Sequence, residues 1–439
     1  MPITRFFFAV VLFQGCAAVP PADDSLAFDR PPEASIATNG VNSLATAVAS
    51  VSAGMSPCAV LNNGEVKCWG RGEDGALGRG DYGAVGYQPG EMGSRLQAVA
   101  LGQRALSVTT SQDYPGAFAC ALLADRQVKC WGSNARGQLG LGDTVTRPAP
   151  ADDTIDFGPG RSVLKVSAGA RHACAVLDDG QIACWGDNVT AFVWVLGYGA
   201  AEPFLPAPTR RVPLAAGRTA VDVEAGNFST CALLDDGTVT CWGFNNWGQL
   251  GYGDTVGRAT PGAPLNFGGA RIASISSGYD TRCAVTADGA LRCWGRSGTG
   301  LLGSNDPNRA TSPLARAAFD FGGRRVVEAS AGLTICVRLD NGEVRCFGRN
   351  GAGQAGIGTT QPVLATQSSP IELGRGRSSV SISSREGFSL GSAVCAILDD
   401  GTLHCWGGNA QGQLGLGDAI NRGTAPQNLP STYPATKLW

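Results

Sequence analysis

The chain has 439 residues with 63 glycines, 24 prolines and 7% aromatic residues, and its formal net charge is −2. With no basic block and no acidic tail, that balance excludes nucleic-acid binding through an electrostatic footprint. The composition points away from long helices and towards many short strands joined by tight turns.

Residues 1–18 read as a signal peptide. Arg5 precedes an apolar run from Phe6 to Phe13, too short to span a bilayer and suited to the core of a secretory signal. The stretch Phe13-Gln14-Gly15-Cys16 resembles a bacterial lipobox, which usually carries leucine at the place of Phe13 and a small residue at that of Gln14. The expectation is a lipid on Cys16; the alternative is cleavage after Ala17 or Ala18 and free secretion. Residues 19–40 are a flexible linker in which prolines disfavour regular structure.

From residue 41 to 439 one unit recurs seven times, every 52 to 62 residues, and marks one continuous repeat body. Each unit holds two cysteines ten positions apart: Cys58 and Cys68, Cys120 and Cys130, Cys174 and Cys184, Cys231 and Cys241, Cys283 and Cys293, Cys336 and Cys346, Cys395 and Cys405. Fourteen cysteines at one fixed spacing read as disulfides made outside the cytosol, with Cys16 left over. Two alternatives stand beside that reading. Structural zinc sites use shorter ligand spacings, and two histidines, His172 and His404, cannot serve seven sites. Free buried cysteine explains the first of each pair but not its partner.

The ten-residue spacing predicts a hairpin. Pairing Cys58 with Cys68 sets Val60 opposite Val66 and leaves Asn62-Asn63-Gly64 as a three-residue turn whose last position favours glycine. Six units have glycine there; the second has Arg126, so that turn should be strained or differently shaped. Both faces of the first hairpin strand are apolar, which predicts a strand sandwiched between neighbouring sheets. An earlier β-rich run ends in a small residue and glycine, as in Val166-Ser167-Ala168-Gly169. A Trp-Gly pair and a proline-containing stretch follow the hairpin. Three strands per unit are evident and a fourth is expected, so the fold class is all-β: a seven-bladed β-propeller of about four-stranded antiparallel blades, with one disulfide-stapled hairpin per blade.

These residues carry a resemblance. The pattern Ala-Gly-x-x-His-x-Cys-Ala-x-Leu-x-x-Gly-x-x-x-Cys-Trp-Gly-x-Asn-x-x-Gly-Gln-Leu-Gly is similar to the regulator of chromosome condensation repeat, here in a secreted, bacterial, disulfide-bonded form. Its first half is fullest around His172, and its second half in the second, fourth and seventh units. The resemblance implies seven blades, and closure that mixes strands from the two ends, with residues near 41–52 and 424–439 as candidates. The founding member's exchange of nucleotide on a nuclear GTPase does not carry over to a chain with a secretory signal.

Catalytic signals are absent. His172 matches the repeat histidine and His404 lies in a hairpin strand. Asp178-Asp179, Asp235-Asp236 and Asp399-Asp400 occupy turn positions, and Arg79-Gly80-Asp81 matches repeat positions elsewhere. Function is expected where the pattern fails. The third unit replaces Gly-Gln-Leu-Gly with Val189-Thr190-Ala191-Phe192-Val193-Trp194-Val195-Leu196, followed by Tyr198 and Phe204. The fourth adds Phe244 and Trp247, and the first a long loop with Tyr82 and Tyr87. Clustered loop aromatics suit a protein interface, although they also serve as filler between blades. Insertions at 112–115 and 385–388 are further candidates. The expectation is an extracytoplasmic binding scaffold, lipoprotein or secreted, monomeric, with no cofactor or metal and an unknown protein or glycan partner. The alternative is a propeller hydrolase or lyase acting on an envelope glycan or peptide.

Overall fold

The computed structural model describes residues 47–439 apart from 112–115, 190–192, 200–201, 298–301, 303–307, 386–390 and 392. The signal, the linker and Cys16 lie outside the described residues. Seven antiparallel sheets follow one another along the chain. The first blade comprises Val48–Ser52, Cys58–Leu61 and Val66–Cys68. The other inner strands are Ala105–Thr110, Val163–Ala168, Ala220–Ala225, Ile272–Ser277, Val326–Ser330 and Ser379–Ser383. Neighbouring inner strands touch all the way round, so these strands line the axis. The middle strands, such as His172–Leu177 and Ala393–Leu398, are buried along their whole length except at Arg338 in the sixth blade, as two-sided apolar patterning requires.

The hairpins take the expected register. In the first four blades Cys58 stands opposite Cys68, Cys120 opposite Cys130, Cys174 opposite Cys184 and Cys231 opposite Cys241. In the last three Cys283 stands opposite Cys293, Cys336 opposite Cys346 and Cys395 opposite Cys405. Leu61 N–H donates to Glu65 O and Trp69 N–H to Pro57 O. The cysteines between these rungs therefore form a non-hydrogen-bonded pair, where antiparallel strands come closest. All seven bridges are present with Cα atoms 4.0–4.1 Å apart. Cys293 and Cys346, on the outer strands Leu291–Gly295 and Val344–Gly348, are buried and bonded like the rest. The turn position takes φ +85° at Gly64, and Arg126 adopts the same left-handed form at φ +67°. That turn keeps its shape and carries the strain.

Two expectations are amended. Among the described residues only the third blade has a fourth strand, Phe204–Leu205, paired with Asp187 and Gly186. The other six reduce it to isolated bridges, such as Gly132 with Arg147, with a second bridge in the first and fifth blades, Lys67 with Ala98 and Leu291 with Phe319. In the second blade Pro148 follows that bridge, and without an N–H it cannot extend the ladder. The bridging glycine of each Trp-Gly pair has φ near +100°, and a Cβ on Gly132 would stand 2.6 Å from Ala117 O. Closure is the second amendment, because among the described residues no sheet mixes strands from the two chain ends. Instead, the hairpin turn of each blade accepts a hydrogen bond from the next inner strand. Ala105 N–H donates to Gly64 O and Ile272 N–H to Gly237 O, and at the seam Val48 N–H donates to Gly401 O. The C-terminal segment covers the seam from outside, with Thr436 N–H on Leu403 O and Lys67 Nζ on Leu438 O at 2.6 Å.

Each inner strand also contains a bulge, at Ala49, Leu106, Leu164, Val221, Ala273, Val327 and Val380. Strict alternation does not foresee it. The face holding the hairpin turns and these bulges is termed the turn face. The opposite, loop face holds the inner-to-middle connections and the segments after each Trp-Gly.

Candidate recognition face

A buried asparagine organises the regular loops of the loop face. Asn134 Oδ1 accepts the Leu139 N–H at 2.9 Å while its Nδ2 donates to Asp143 O and Oδ1. Asn245 and Asn409 repeat the arrangement with Leu250 and Asp254, and with Leu414 and Asp418. Arg147 clamps the Asp143 carboxylate at 2.7 Å and, by that hydrogen bond above all, holds its pKa down to about 2. The Gly-Gln-Leu-Gly turn then presents its glutamine carbonyl to the next blade, whose buried tryptophan donates to it. Trp185 Nε1 bonds Gln138 O, Trp294 Nε1 bonds Gln249 O, and across the seam Trp69 Nε1 bonds Gln413 O, each at 2.9–3.0 Å.

The third blade keeps the asparagine, whose Nδ2 donates to Glu202 O at 2.8 Å, and loses the Gly-Gln-Leu-Gly turn. Asn188 Oδ1 still accepts the Leu196 N–H at 3.0 Å, but seven residues stand between them where the second blade has four. The following indole, Trp242 Nε1, has no partner among the described residues, although Trp242 is fully buried. An unmet buried donor costs about 1–3 kcal/mol. The segment therefore departs from the repeat at a structural disadvantage.

The sequence candidates separate into three groups. Tyr198 and Phe204 belong to the blade: the Tyr198 hydroxyl accepts from Cys184 N–H and donates to Cys184 O, both at 2.6 Å. Tyr252 does the same with Cys241 in the next blade, so this is repeat chemistry. Phe204 forms the short fourth strand. A second group lies on blades three and four: half-buried Trp194 bridges to Val189, and half-buried Phe244 and Trp247 follow the fourth outer strand. Trp247 lies between two guanidinium groups, Arg296 at 4.5 Å and Arg309 at 5.0 Å from its ring centre. Tyr82 and Tyr87 form the third group, 56% and 38% exposed on the first blade. The Tyr87 segment packs against Gly412 of the seventh blade, across the seam from the other aromatics. Phe192 lies outside the described residues.

A charged cluster converges on the axis, and of its members only Arg385, at the start of the insertion 385–388, was marked by the sequence. Lys165 Nζ stands 2.8 Å from Asp222 and 3.1 Å from Glu224. Arg385, from the seventh blade, crosses to Glu224 at 3.1 Å and donates to Ala168 O at 2.9 Å. Burial opposes the charge on Lys165, but the carboxylates of Asp222 and Glu224 outweigh it and raise its pKa. Burial likewise opposes the charge on Glu224, and Lys165 and Arg385 hold its pKa low. The signal was available: Lys165, Asp222 and Glu224 break a run of serines and threonines at matching positions, and Arg385 stands where most units have glycine.

Beside this cluster, buried Arg282 donates to Gly278 O, Thr281 O and Ser229 O. Burial and Arg282 push the His172 pKa down to about 4, and its Nε2 meets Thr230 Oγ1 at 2.9 Å. Burial raises Asp280 to about 6, with Arg296 at 3.5 Å. Both histidines sit in blade strands, His172 in the middle strand of the third and His404 in the outer strand of the seventh. Among the described residues no group of three or more His, Cys, Asp and Glu is placed to hold one metal ion.

Comparison with known proteins agrees with this architecture. The chain is 28% identical over 393 residues to the ultraviolet-B receptor UVR8 of Arabidopsis thaliana, covering 88% of this chain and 82% of that protein. Among solved structures, human WBSCR16 superposes with a TM-score of 0.66 at 24% identity, over 82% of this chain and 92% of that one. Prp20p of Saccharomyces cerevisiae superposes with a TM-score of 0.67 at 20% identity, over 88% of both chains. The family description that matches is the RCC1-like domain, over residues 127–437. The chain belongs to the RCC1-like domain family.

Proposed function

We propose that the chain is an extracytoplasmic binding scaffold that grips a partner protein with the loop-face sector of blades three to five. The observation that carries this reading is the third-blade loop, which forgoes the Trp242 hydrogen bond and reaches the fourth blade at Val193, 3.2 Å from where a Cβ on Gly257 would stand. A half-buried tryptophan flanked by arginines, as Trp247 is by Arg296 and Arg309, has the composition of an interface hot spot. Relatives support the class: UVR8 is a receptor, and Prp20p has binding properties towards Gsp1p and histones. The secretory reading rests on residues 1–18 and on seven disulfides, which persist in oxidising compartments.

Affinity capture from the envelope and its surroundings, with the intact chain as bait, tests the reading. A partner should be retained by the natural chain and released by Trp247→Ala or Trp194→Ala. Capture unaffected by either substitution sinks the assignment to this sector. Mass analysis of the mature N-terminus separates a lipid on Cys16 from cleavage after Ala17 or Ala18.

The alternative, a hydrolase or lyase acting on an envelope glycan or peptide, has one observation in its favour: the titratable groups Lys165, Asp222 and Glu224 on the axis. Their mutual pairing suits a clasp better than a proton-transfer site. Turnover of such a substrate that is lost with Glu224→Gln in a folded protein would establish it instead.

A further inference from the structure

The loop-face segments of the fifth and sixth blades carry an excess of positive charge. Segment 296–318 has three arginines and one aspartate, and segment 349–364 has Arg349 and no acid, on a chain whose net charge is −2. In the fourth blade the corresponding charges cancel, Arg258 on Asp254 at 2.8 Å. Arg296 and Arg349 hold equivalent places in adjacent blades. Each donates its backbone N–H to the residue just before a middle strand, to Asp280 O and Leu333 O, and each side chain is half-buried.

Trp247 gathers part of this excess, with Arg296 and Arg309 packed on its ring. Arg309 is exposed and donates to Asn246 O at 2.8 Å, with no carboxylate partner among the described residues. Arg296 has one, Asp280, but at 3.5 Å the contact is longer than the roughly 2.7–2.9 Å of a charge-assisted bond. The Asp280 side chain is 2% exposed, and burial raises its pKa to about 6 although Arg282 and Arg296 oppose the rise. Gln249 Nε2 of the fourth blade stands 3.4 Å from the same carboxylate. Asp280 is thus a dry acid that keeps its charge at a cost, while Arg296 still reaches solvent. The counter-ion inside is weak, and the approach from outside is open.

We propose that the partner protein seats a carboxylate, an aspartate or glutamate on an acidic exposed segment, at the guanidinium groups packed on Trp247, and that Arg296 turns to it from Asp280. The inference rests on the loop-face reading above and adds the chemistry of the partner. A guanidinium takes a carboxylate through two parallel N–H···O bonds, and arginine beside tryptophan is a pairing that interfaces favour. An acidic segment also approaches a cationic sector faster than a neutral one. Left without its cation and facing a second carboxylate, Asp280 takes up a proton from solvent. Binding therefore strengthens as pH falls from 8 towards 6 and levels off below, where Asp280 is already protonated.

Fluorescence anisotropy of labelled hexa-aspartate, titrated with the intact chain at low salt, tests the proposal. The peptide should bind and hexa-asparagine should not. Affinity should fall by about tenfold between pH 6 and pH 8, since uptake of one proton changes it by at most tenfold per pH unit. Arg296→Gln should weaken binding by about tenfold or more and Arg309→Gln by less, while Arg126→Gln, on the turn face, should leave it unchanged. Asp280→Asn should bind at pH 8 as tightly as the natural chain does at pH 6, a gain that a folding defect cannot produce. Absence of hexa-aspartate binding, equal binding of hexa-asparagine, or an equal loss with Arg126→Gln overturns the proposal. Binding that needs Arg296 but ignores pH overturns the exchange with Asp280. If partner capture still depends on Trp247 while hexa-aspartate fails to bind, the loop-face reading stands and the carboxylate does not.

Discussion

The two faces of the propeller differ in how strictly they obey the repeat. On the turn face the same hairpin, bulge and blade-to-blade hydrogen bond recur seven times, and Arg126 is a single-residue departure that leaves the turn unchanged. On the loop face whole segments depart, and the third blade gives up the bond that its neighbour's tryptophan requires. One face holds the ring together by repetition. The other is free to vary because its loops hang from asparagines and disulfides already fixed below them.

The most disruptive test lies on the axis between the faces. Glu224→Ala leaves Lys165 and Arg385 without their shared carboxylate and should destabilise the fold by about 3–5 kcal/mol in chemical denaturation. A near-neutral result would mean that the turn-face bonds alone close the ring. Next in size is a pair of opposed pH effects near the loop face. The His172 pKa is lowered from 6.5 to about 4, so its contribution to stability is present above pH 6.5 and is lost as pH falls towards 4. The Asp280 pKa is raised from 3.8 to about 6, so its contribution is present below pH 3.8 and is lost as pH rises through 6. Each effect is on the order of 3 kcal/mol, and between pH 4 and 6 they oppose each other. His172→Gln should make the protein gain stability on acidification over that window, and Asp280→Asn should make it lose stability there. Parallel slopes in the two variants would contradict the assignment.

A graft sharpens the contrast directly. Replacing residues 189–195 with the second blade's Ala135-Arg136-Gly137-Gln138 restores a carbonyl for Trp242. It should stabilise the protein by about 1–3 kcal/mol while abolishing partner capture. Stability and capture falling together would remove the distinction between the faces. The smallest effect belongs to Arg126→Gly, a gain of about 1 kcal/mol from relieving the left-handed turn, with loop-face capture unchanged.

Much of this was legible in the chain, because hairpin register is a local property. The cysteine spacing, the turn glycine and two-sided apolar patterning dictated each blade without reference to the others. Even the fifth and sixth hairpins, closed by Cys283 with Cys293 and Cys336 with Cys346, follow from that spacing alone. The bulge was not legible, since period-two alternation tolerates one slipped residue without a mark in composition. Nor was the axial clasp, because Arg385 meets Glu224 161 positions away in sequence and only the circular arrangement brings them together. Tyr198 could have been placed: Gly197-Tyr198-Gly199 repeats as Gly251-Tyr252-Gly253, which marks a blade residue rather than a free aromatic. The fourth strand was legible only as a tendency, because the proline-bearing run after Trp-Gly meets the outer strand at isolated bridges rather than along a ladder.

The ten-residue span of every disulfide also bears on how the molecule is made. A cysteine such as Cys68 has its correct partner 10 residues back and the next unit's first cysteine, Cys120, 52 residues ahead. Loop-closure entropy favours the nearer partner by about tenfold. Oxidation can therefore proceed hairpin by hairpin as the chain emerges, in sequence order and before any ring exists. Little reshuffling is needed, since the correct bond is also the fastest to form.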